Sequence, residues 1–598
     1  MASATLKFHL IYSNRGLAME RRKLSPFISV SPQISVEDVG VAASLGFKTI
    51  VCNRPDNEGE DQVNADKIQQ AAEKNGLAFE HLPVVSGNIT DDDVSAFTKL
   101  MATVKGPVLA YCRTGTRSCT LWALAEAAHL APQTLLDTAQ QAGYDLSGQQ
   151  SRLQQRFDQS AAANASAAPQ SVSKHTVVIV GGGAGGQATA ASILKRQPQT
   201  DIAIVEPAEA HYYQPGWTLV GGGVFEREQT KKRMRDIMPK AATWYQTAVS
   251  QFLPEQQRIV LENGDQLAYQ CLVVATGLKL DWEAIPGLKE SLGQHGVTSN
   301  YRFDLAPYTW KLVQATRKGK AIFTQPPMPI KCAGAPQKAM YLSCDEWQRN
   351  ELLKDINVEF CTAGAALFGV KEYVPALQKY VDRYGIELQF QHNLIAVDGP
   401  QQKATFAVTD SNGETTQVEK SFDMLHVCPP QVAPDVIASS PLADSNGWVD
   451  VSAETLQHKH FGNVYAVGDV ANAPNAKTAA AVRKQAPVVA ENVLSTLAGK
   501  NAMAVYEGYG SCPLTVERGK IVLAEFGYGG KLQPTFPAWL VDGTKPSRMS
   551  WFLKEKMLPW LYWDVMLKGK EWLAKPKHLS HRPEPHSAPD ACNFEDKK

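Results

Sequence analysis

The chain has 598 residues, 44% apolar and 20% charged, a length too great for one hydrophobic core. Its 60 basic and 60 acidic side chains cancel, so it lacks the field that captures nucleic acid, and nucleic-acid partners are excluded. Ten cysteines without a CxxC pair or a tight Cys/His cluster exclude a structural zinc site and a disulfide framework, and are read as thiols in a reducing compartment.

Residues 1–18 lack the apolar core and cleavage site of a secretory signal; Lys7 and Arg15 with no acid before Glu20 leave a transit peptide open, and an extension ahead of Met19 is favoured. FISV, FKTIVC (47–52) and PVLAYC (107–112) are short apolar strands, and 62–75, 91–104 and 117–129 are read as helices. That alternation predicts a parallel sheet covered by helices, in a first domain over 24–150. The third strand runs into YCRTGTRS, with a helix expected from near Ser118. A loop between a buried strand and a helix N-terminus collects backbone N–H groups at one point and favours a thiolate. Cys112 is therefore the candidate nucleophile, and Arg113 and Arg117 supply positive charge. Four residues separate Cys112 from Arg117, whereas tyrosine phosphatases have five in that interval. The string resembles the rhodanese loop, whose cysteine carries a persulfide. NRPD (53–56) in turn resembles the general-acid loop of a phosphatase, although Asp56 reads equally as a turn residue. Sulfur transfer, phosphatase and inert-loop readings stay open here, with sulfur transfer favoured.

Residues 151–174, ending in the Ala/Ser/Gln-rich run DQSAAANASAAPQSVSK, are read as a linker. HTVVIVGGGAGG and DIAIVEP then predict a strand, a glycine turn, a helix and a second strand. Gly181, Gly183 and Gly186 form GxGxxG, whose tight turn admits a pyrophosphate at the helix N-terminus, and Glu206 ends the next strand, where a carboxylate meets ribose hydroxyls. CLVVATG (271–277) and NVYAVGD (463–469) are two later strands ending in turns. This order resembles the two-dinucleotide-domain, glutathione-reductase-like flavoproteins. The resemblance implies FAD held by Gly181, Gly183, Gly186, Glu206, Thr276, Gly277 and Asp469, with Lys477 and the helix after Thr478 completing the site. NVEFCTAGAALFGV (357–370) lacks a second GxGxxG, so no nicotinamide cofactor is expected.

HYYQPGWTLVGGG (211–223), IKCAGAPQKAMYLS (330–343), FGVKEY (368–373), GWVDV (447–451), AKTAAAV (476–482) and SCPL (511–514) together resemble the sulfide:quinone oxidoreductase family, in the type that includes the mitochondrial enzyme. The resemblance runs from about residue 175 to the C-terminus and implies FAD, sulfide as donor and quinone as acceptor. It makes Cys332 the cysteine that attacks sulfide-derived sulfur beside the flavin. The residues agree: Pro327, Pro329 and Gly334 keep Cys332 out of a helix interior, a helix begins just after it, and Lys331 adds charge. The departure is Val470, where the family has its second redox cysteine. Either Cys428, in LHVCPP, replaces it, or a small thiol or sulfite takes the sulfur directly, and the external acceptor is favoured.

The domains expected after the linker are 175–510, two dinucleotide-binding units, and 511–598, a C-terminal region. Within the latter, WFLKEKMLPWLYWDVMLKGKEWL (551–573) mixes Trp, Leu and Met with four lysines. It is too interrupted to span a bilayer and suits an amphipathic interfacial anchor with membrane quinone nearby. The expected location is cytoplasmic, peripheral at the inner membrane face.

Overall fold

The computed structural model describes residues 19–579 except 26, 61, 129 and 167–171, with backbone alone for 160–166. Residues 1–18, read as an extension, lie outside the described residues. The chain divides into two compact units, Met1–Ala168 and Pro169–Lys598.

In the first unit β1 (Ile28–Ser31), α1 (Val36–Ser44), β2 (Thr49–Cys52), α2 (Ala65–Lys74), β3 (Ala78–His81), α3 (Asp91–Thr103), β4 (Val108–Tyr111), α4 (Thr116–Glu126), α5 (Pro132–Gln141) and α6 (Gln150–Ser166) follow in order. β4 pairs in parallel with both β1 and β2, and β3 flanks β2. Strands β1, β2 and β4 are buried along their whole length, which is why they read as continuous apolar runs. Ser35 and Thr90 open α1 and α3 with capping boxes to Asp38 and Asp93. Helix α4 begins at Thr116, close to the expected start near Ser118, with Gly115 as its left-handed cap residue at φ +88°. One expectation is corrected. The supposed linker continues α6 to Ser166, as its alanines favour helix.

The second unit opens with β5 (Val172–Val180), α7 (Ala184–Arg196) and β6 (Ile202–Val205), followed by β7 (Gln266–Val274), β8 (Gly319–Gln325), α8 (Ala335–Arg349), β9 (Ile356–Thr362), β10 (Met424–His426), β11 (Val464–Ala466), α9 (Ala479–Leu497) and the hairpin β12 (Gly510–Glu517) and β13 (Lys520–Phe526). In the first sheet β7 lies between β5 and β11, all parallel, with Val274 opposite Val180 on one side and Ala466 on the other. That register brings the turns after Val180, Val274 and Ala466 to one sheet edge, although residues 181 and 467 are far apart in sequence. In the second sheet β10, β8 and β9 are parallel neighbours. After β9 the chain runs irregularly to a short turn at Lys371–Tyr373 and enters a helix only at Val374.

The C-terminal segment is helical from Arg548 to Lys568, with wide π-type turns at Leu553–Met557 and Leu561–Val565. One side buries Tyr562, Trp563, Met566 and Leu567 against Tyr213, Val482 and Ala486. Met549, Phe552 and Trp560 stay exposed. Among the described residues no helix is long and apolar enough to cross a membrane.

Candidate active sites

In the first unit Cys112 follows β4 and is buried. The Gly115 N–H donates to its sulfur at 3.2 Å, so the loop ahead of α4 closes over the sulfur. A side chain at Gly115 would strike the Tyr144 hydroxyl at 2.1 Å, which requires glycine there. Arg117 departs from its expected role as free charge. Its guanidinium donates to the Asn53 carbonyl at 2.9 Å and to the Glu58 carboxylate at 2.6 Å, and Arg54 binds the other Glu58 oxygen at 2.8 Å. Burial pushes the Glu58 carboxyl upward, but the two guanidiniums outweigh it and hold it below its usual range. Arg117 thus fixes the 53–58 loop beside the nucleophile, while Arg113 is exposed. Asp56 accepts the Ala65 N–H at 2.9 Å and caps α2, which supports the turn reading.

In the second unit a cavity of about 450 Å³ is lined by Gly181, Gly183, Glu206, Thr276, Gly277, Asp469 and Lys477. A Cβ at Gly181 would lie 2.4 Å from the Ala275 carbonyl, and one at Gly186 would lie 1.9 Å from the Gly181 carbonyl, whereas Gly183 faces open space. The first two are needed for close packing, and the third leaves the helix N-terminus accessible. Glu206 accepts the N–H groups of Gly182 and Ala208, each at 2.8 Å, which fixes its carboxylate at the cavity wall. Thr276 buries a hydroxyl that no protein group satisfies. Lys477 donates to the carbonyls of Asp469 and Ala471, and burial lowers its pKa to about 8. Thr478 caps α9 through the Ala481 N–H. These residues fit FAD: the α7 N-terminus would suit its phosphates, and the α9 N-terminus would favour negative charge on a reduced flavin. Gly186 shapes the turn rather than lining the cavity.

Cys332 stands on the same cavity wall. Its backbone is left-handed at φ +51°, an unfavourable conformation for a side-chain-bearing residue, and its N–H donates to the Lys477 carbonyl at 2.9 Å. The expected cation beside it was Lys331, but that ammonium turns to the Gln214 side chain and the Trp217 ring. The group on the sulfur is Lys338, buried in the first turns of α8, with its Nζ 3.0 Å from Cys332 Sγ. A hydrogen bond from Cys512, then the Lys338 charge, overcome burial and hold the Cys332 thiol well below its ordinary range. Burial and the Lys338 charge push Lys554, on the C-terminal helix, down to about 7, and it donates to the Pro215 carbonyl. Cys428 packs in the cluster that Cys332 adjoins, but its sulfur bonds Pro429 and Gln431, and burial raises its pKa to about 12. These contacts and its burial favour the external acceptor over Cys428 as the route for the sulfur. Val470 is wholly buried in the sheet core. Lys338, Cys512 and Lys554 were not singled out in the sequence. Only KCAGAPQK, with its lysine on the new helix, carried a signal for one of them.

Fold and site define a dinucleotide-binding flavoprotein of the disulfide-reductase type. The family model described as pyridine nucleotide-disulphide oxidoreductase matches residues 175–313. The model described as beta-lactamase hydrolase-like protein, phosphatase-like domain, matches residues 20–129. Mitochondrial sulfide:quinone oxidoreductase from Dictyostelium discoideum is 43% identical over 405 residues, covering 67% of this chain and 87% of that protein. The chain belongs to the sulfide:quinone oxidoreductase family. The solved sulfide:quinone oxidoreductase of Aquifex aeolicus shares the fold, with a TM-score of 0.54 at 19% identity over 67% of this chain and 92% of that one. For the first unit, a beta-lactamase hydrolase-like protein from Xylella fastidiosa is 37% identical over 99 residues, 17% of this chain and 23% of that protein.

Proposed function

We propose that the chain is an FAD-dependent sulfide:quinone oxidoreductase whose N-terminal unit transfers sulfane sulfur through Cys112. The observation that carries the reading is the Cys332 sulfur, 3.0 Å from the Lys338 ammonium, on the wall of the cavity that the FAD motif lines. FAD bound there supplies a two-electron acceptor, and quinone takes the electrons on. Lys338 and the N-terminus of α8 favour the anionic, nucleophilic form of Cys332. Asp469, Lys477 and Glu206 orient the cofactor. The sulfur leaves to a small thiol or sulfite.

The domains in this reading are 24–150, 175–510 and 511–598. The exposed Trp539, Leu540, Met549, Phe552, Trp560 and Trp572 support peripheral contact with the inner face of a membrane. Leu553, Met557, Leu558 and Leu561 of the same region line the cavity and suit an apolar quinone. For the first unit, the short Cys112–Arg117 loop supports sulfur transfer, and the phosphatase-like family model keeps a hydrolase as the second reading. Anaerobic sulfide should bleach the flavin, and added quinone should restore it. A flavin that sulfide cannot bleach, or that NADH bleaches rapidly, would overturn the reading. Phosphate-ester hydrolysis at Cys112 without thiosulfate sulfur transfer would favour the second.

A further inference from the structure

Sulfide oxidation through a cysteine pair needs a second sulfur within bonding reach of the first, and Val470 cannot provide one. Cys332 is flanked on one side by Cys428, whose sulfur is engaged with its own neighbours. On the other side stands the hairpin of β12 and β13. Cys512 on β12 is buried, and a Cβ placed on Gly334 would lie 2.5 Å from Cys512 Sγ and 2.3 Å from Leu514 Cδ2. Only glycine at 334 lets the hairpin bring that sulfur against the turn carrying Cys332. The Lys338 Nζ lies 3.0 Å from Cys332 Sγ, and its charge acts on both sulfurs. Two sulfurs and one ammonium are thus gathered beside the cavity from the turn before α8, from α8 itself and from a hairpin some 180 residues away in sequence.

We propose that Cys512 is the redox partner of Cys332, and that a Cys332–Cys512 disulfide, flanked by Lys338, replaces the pair that Val470 removes. The inference rests on the sulfide-oxidising reading of the cavity. In the oxidised form hydrosulfide attacks Cys332 Sγ, the more accessible sulfur. The S–S bond breaks, a persulfide forms on Cys332, and Cys512 leaves as a thiolate stabilised by Lys338. A thiol or sulfite then attacks the outer sulfur and carries it away, leaving Cys332 as thiolate. Reforming the S–S bond removes two electrons and the remaining thiol protons. The two electrons go to the bound flavin, the oxidant that the family activity supplies, so each turnover converts one sulfide and one acceptor thiol to one persulfide, two protons and two electrons.

The test is peptide mass mapping of the full-length, FAD-loaded protein under non-reducing conditions, after oxidation by quinone. A linked pair of peptides holding Cys332 and Cys512 is expected. Sulfide should release it, add one sulfur to the Cys332 peptide and make Cys512 open to alkylation. The Cys428→Ala protein should retain the link. The Cys512→Ser protein should lose it and fall in sulfide-dependent quinone reduction by about the factor that Cys332→Ala costs, since members of one unit fail together. Flavin content and thermal unfolding report whether that variant is folded, and the wild-type map needs no variant. A link from Cys332 to Cys428, or free alkylation of Cys332 and Cys512 in the oxidised protein, overturns the pair. If those results come with an inactive Cys332→Ala, only this inference fails. Full activity in Cys332→Ala removes the underlying reading as well.

Discussion

The two nucleophilic cysteines are built to one plan and charged differently. Cys112 and Cys332 each follow a buried strand, each precede a glycine and a helix N-terminus, and each sit in a turn that the glycine makes possible. At Cys112 the nearby arginine is occupied by Glu58 and the Asn53 carbonyl, so the sulfur relies on the Gly115 N–H and the α4 N-terminus. At Cys332 a buried ammonium touches the sulfur directly. Backbone donors tolerate a sulfur that comes and goes as a persulfide. A fixed cation favours the anion at all times, which suits a site that must accept electrons from sulfur.

The largest effect expected is a double dissociation. Cys332→Ala should abolish flavin bleaching by sulfide while leaving transfer from thiosulfate to a thiol intact, and Cys112→Ser should do the reverse. Loss of both activities in either variant would break the comparison, because it would make the two sulfurs one machine. Next is Lys338→Met, expected to slow alkylation of Cys332 by iodoacetamide on the order of 10²-fold at neutral pH. The rate in that variant should climb with pH where the wild type is flat, since its thiol pKa returns upward. An unchanged profile would mean that the helix N-terminus alone charges Cys332.

Glu58→Gln tests the other side. It leaves the buried Arg54 and Arg117 without their carboxylate and should cost about 1–3 kcal/mol in urea unfolding. The folded pKa of Glu58 is depressed, so its contribution is full above the unfolded value of 4.5 and is lost as pH falls through the folded one. The variant should therefore lose less stability than wild type on acidification below about 4.5. The remaining test is at Lys554, which is pushed down to about 7 from 10.5. Burying its charge costs stability in full below about 7, and the cost is relieved as pH rises toward 10.5. Lys554→Met should raise Tm most at pH 6, with the gain shrinking by pH 9. A gain independent of pH would show that folding does not lower the Lys554 pKa.

Glycine spacing and strand ends make the dinucleotide turn, Glu206 and Cys112 legible in the residues alone, because those features need particular residues at fixed short intervals. The same logic misplaces Lys331. Adjacency in sequence says nothing of direction, and at a left-handed Cys332 the neighbouring side chain turns to Trp217. Nor does it settle Cys428, whose strand-end position resembles a site, while its sulfur packs among Tyr301, Pro429 and Gln431.

By itself the sequence determined the class of chemistry: which turns bind phosphate, which cysteines head loops, and that the family's late cysteine is Val470. These are local matters of backbone freedom and residue type. Only the tertiary structure decided which sulfur faces which. Parallel pairing of β7 with β5 and β11 gathers three distant turns into one cavity wall, and the hairpin at Gly510–Phe526 brings Cys512 against the turn that carries Cys332. Contacts of that range are fixed by packing and strand register, which no local pattern around either cysteine encodes.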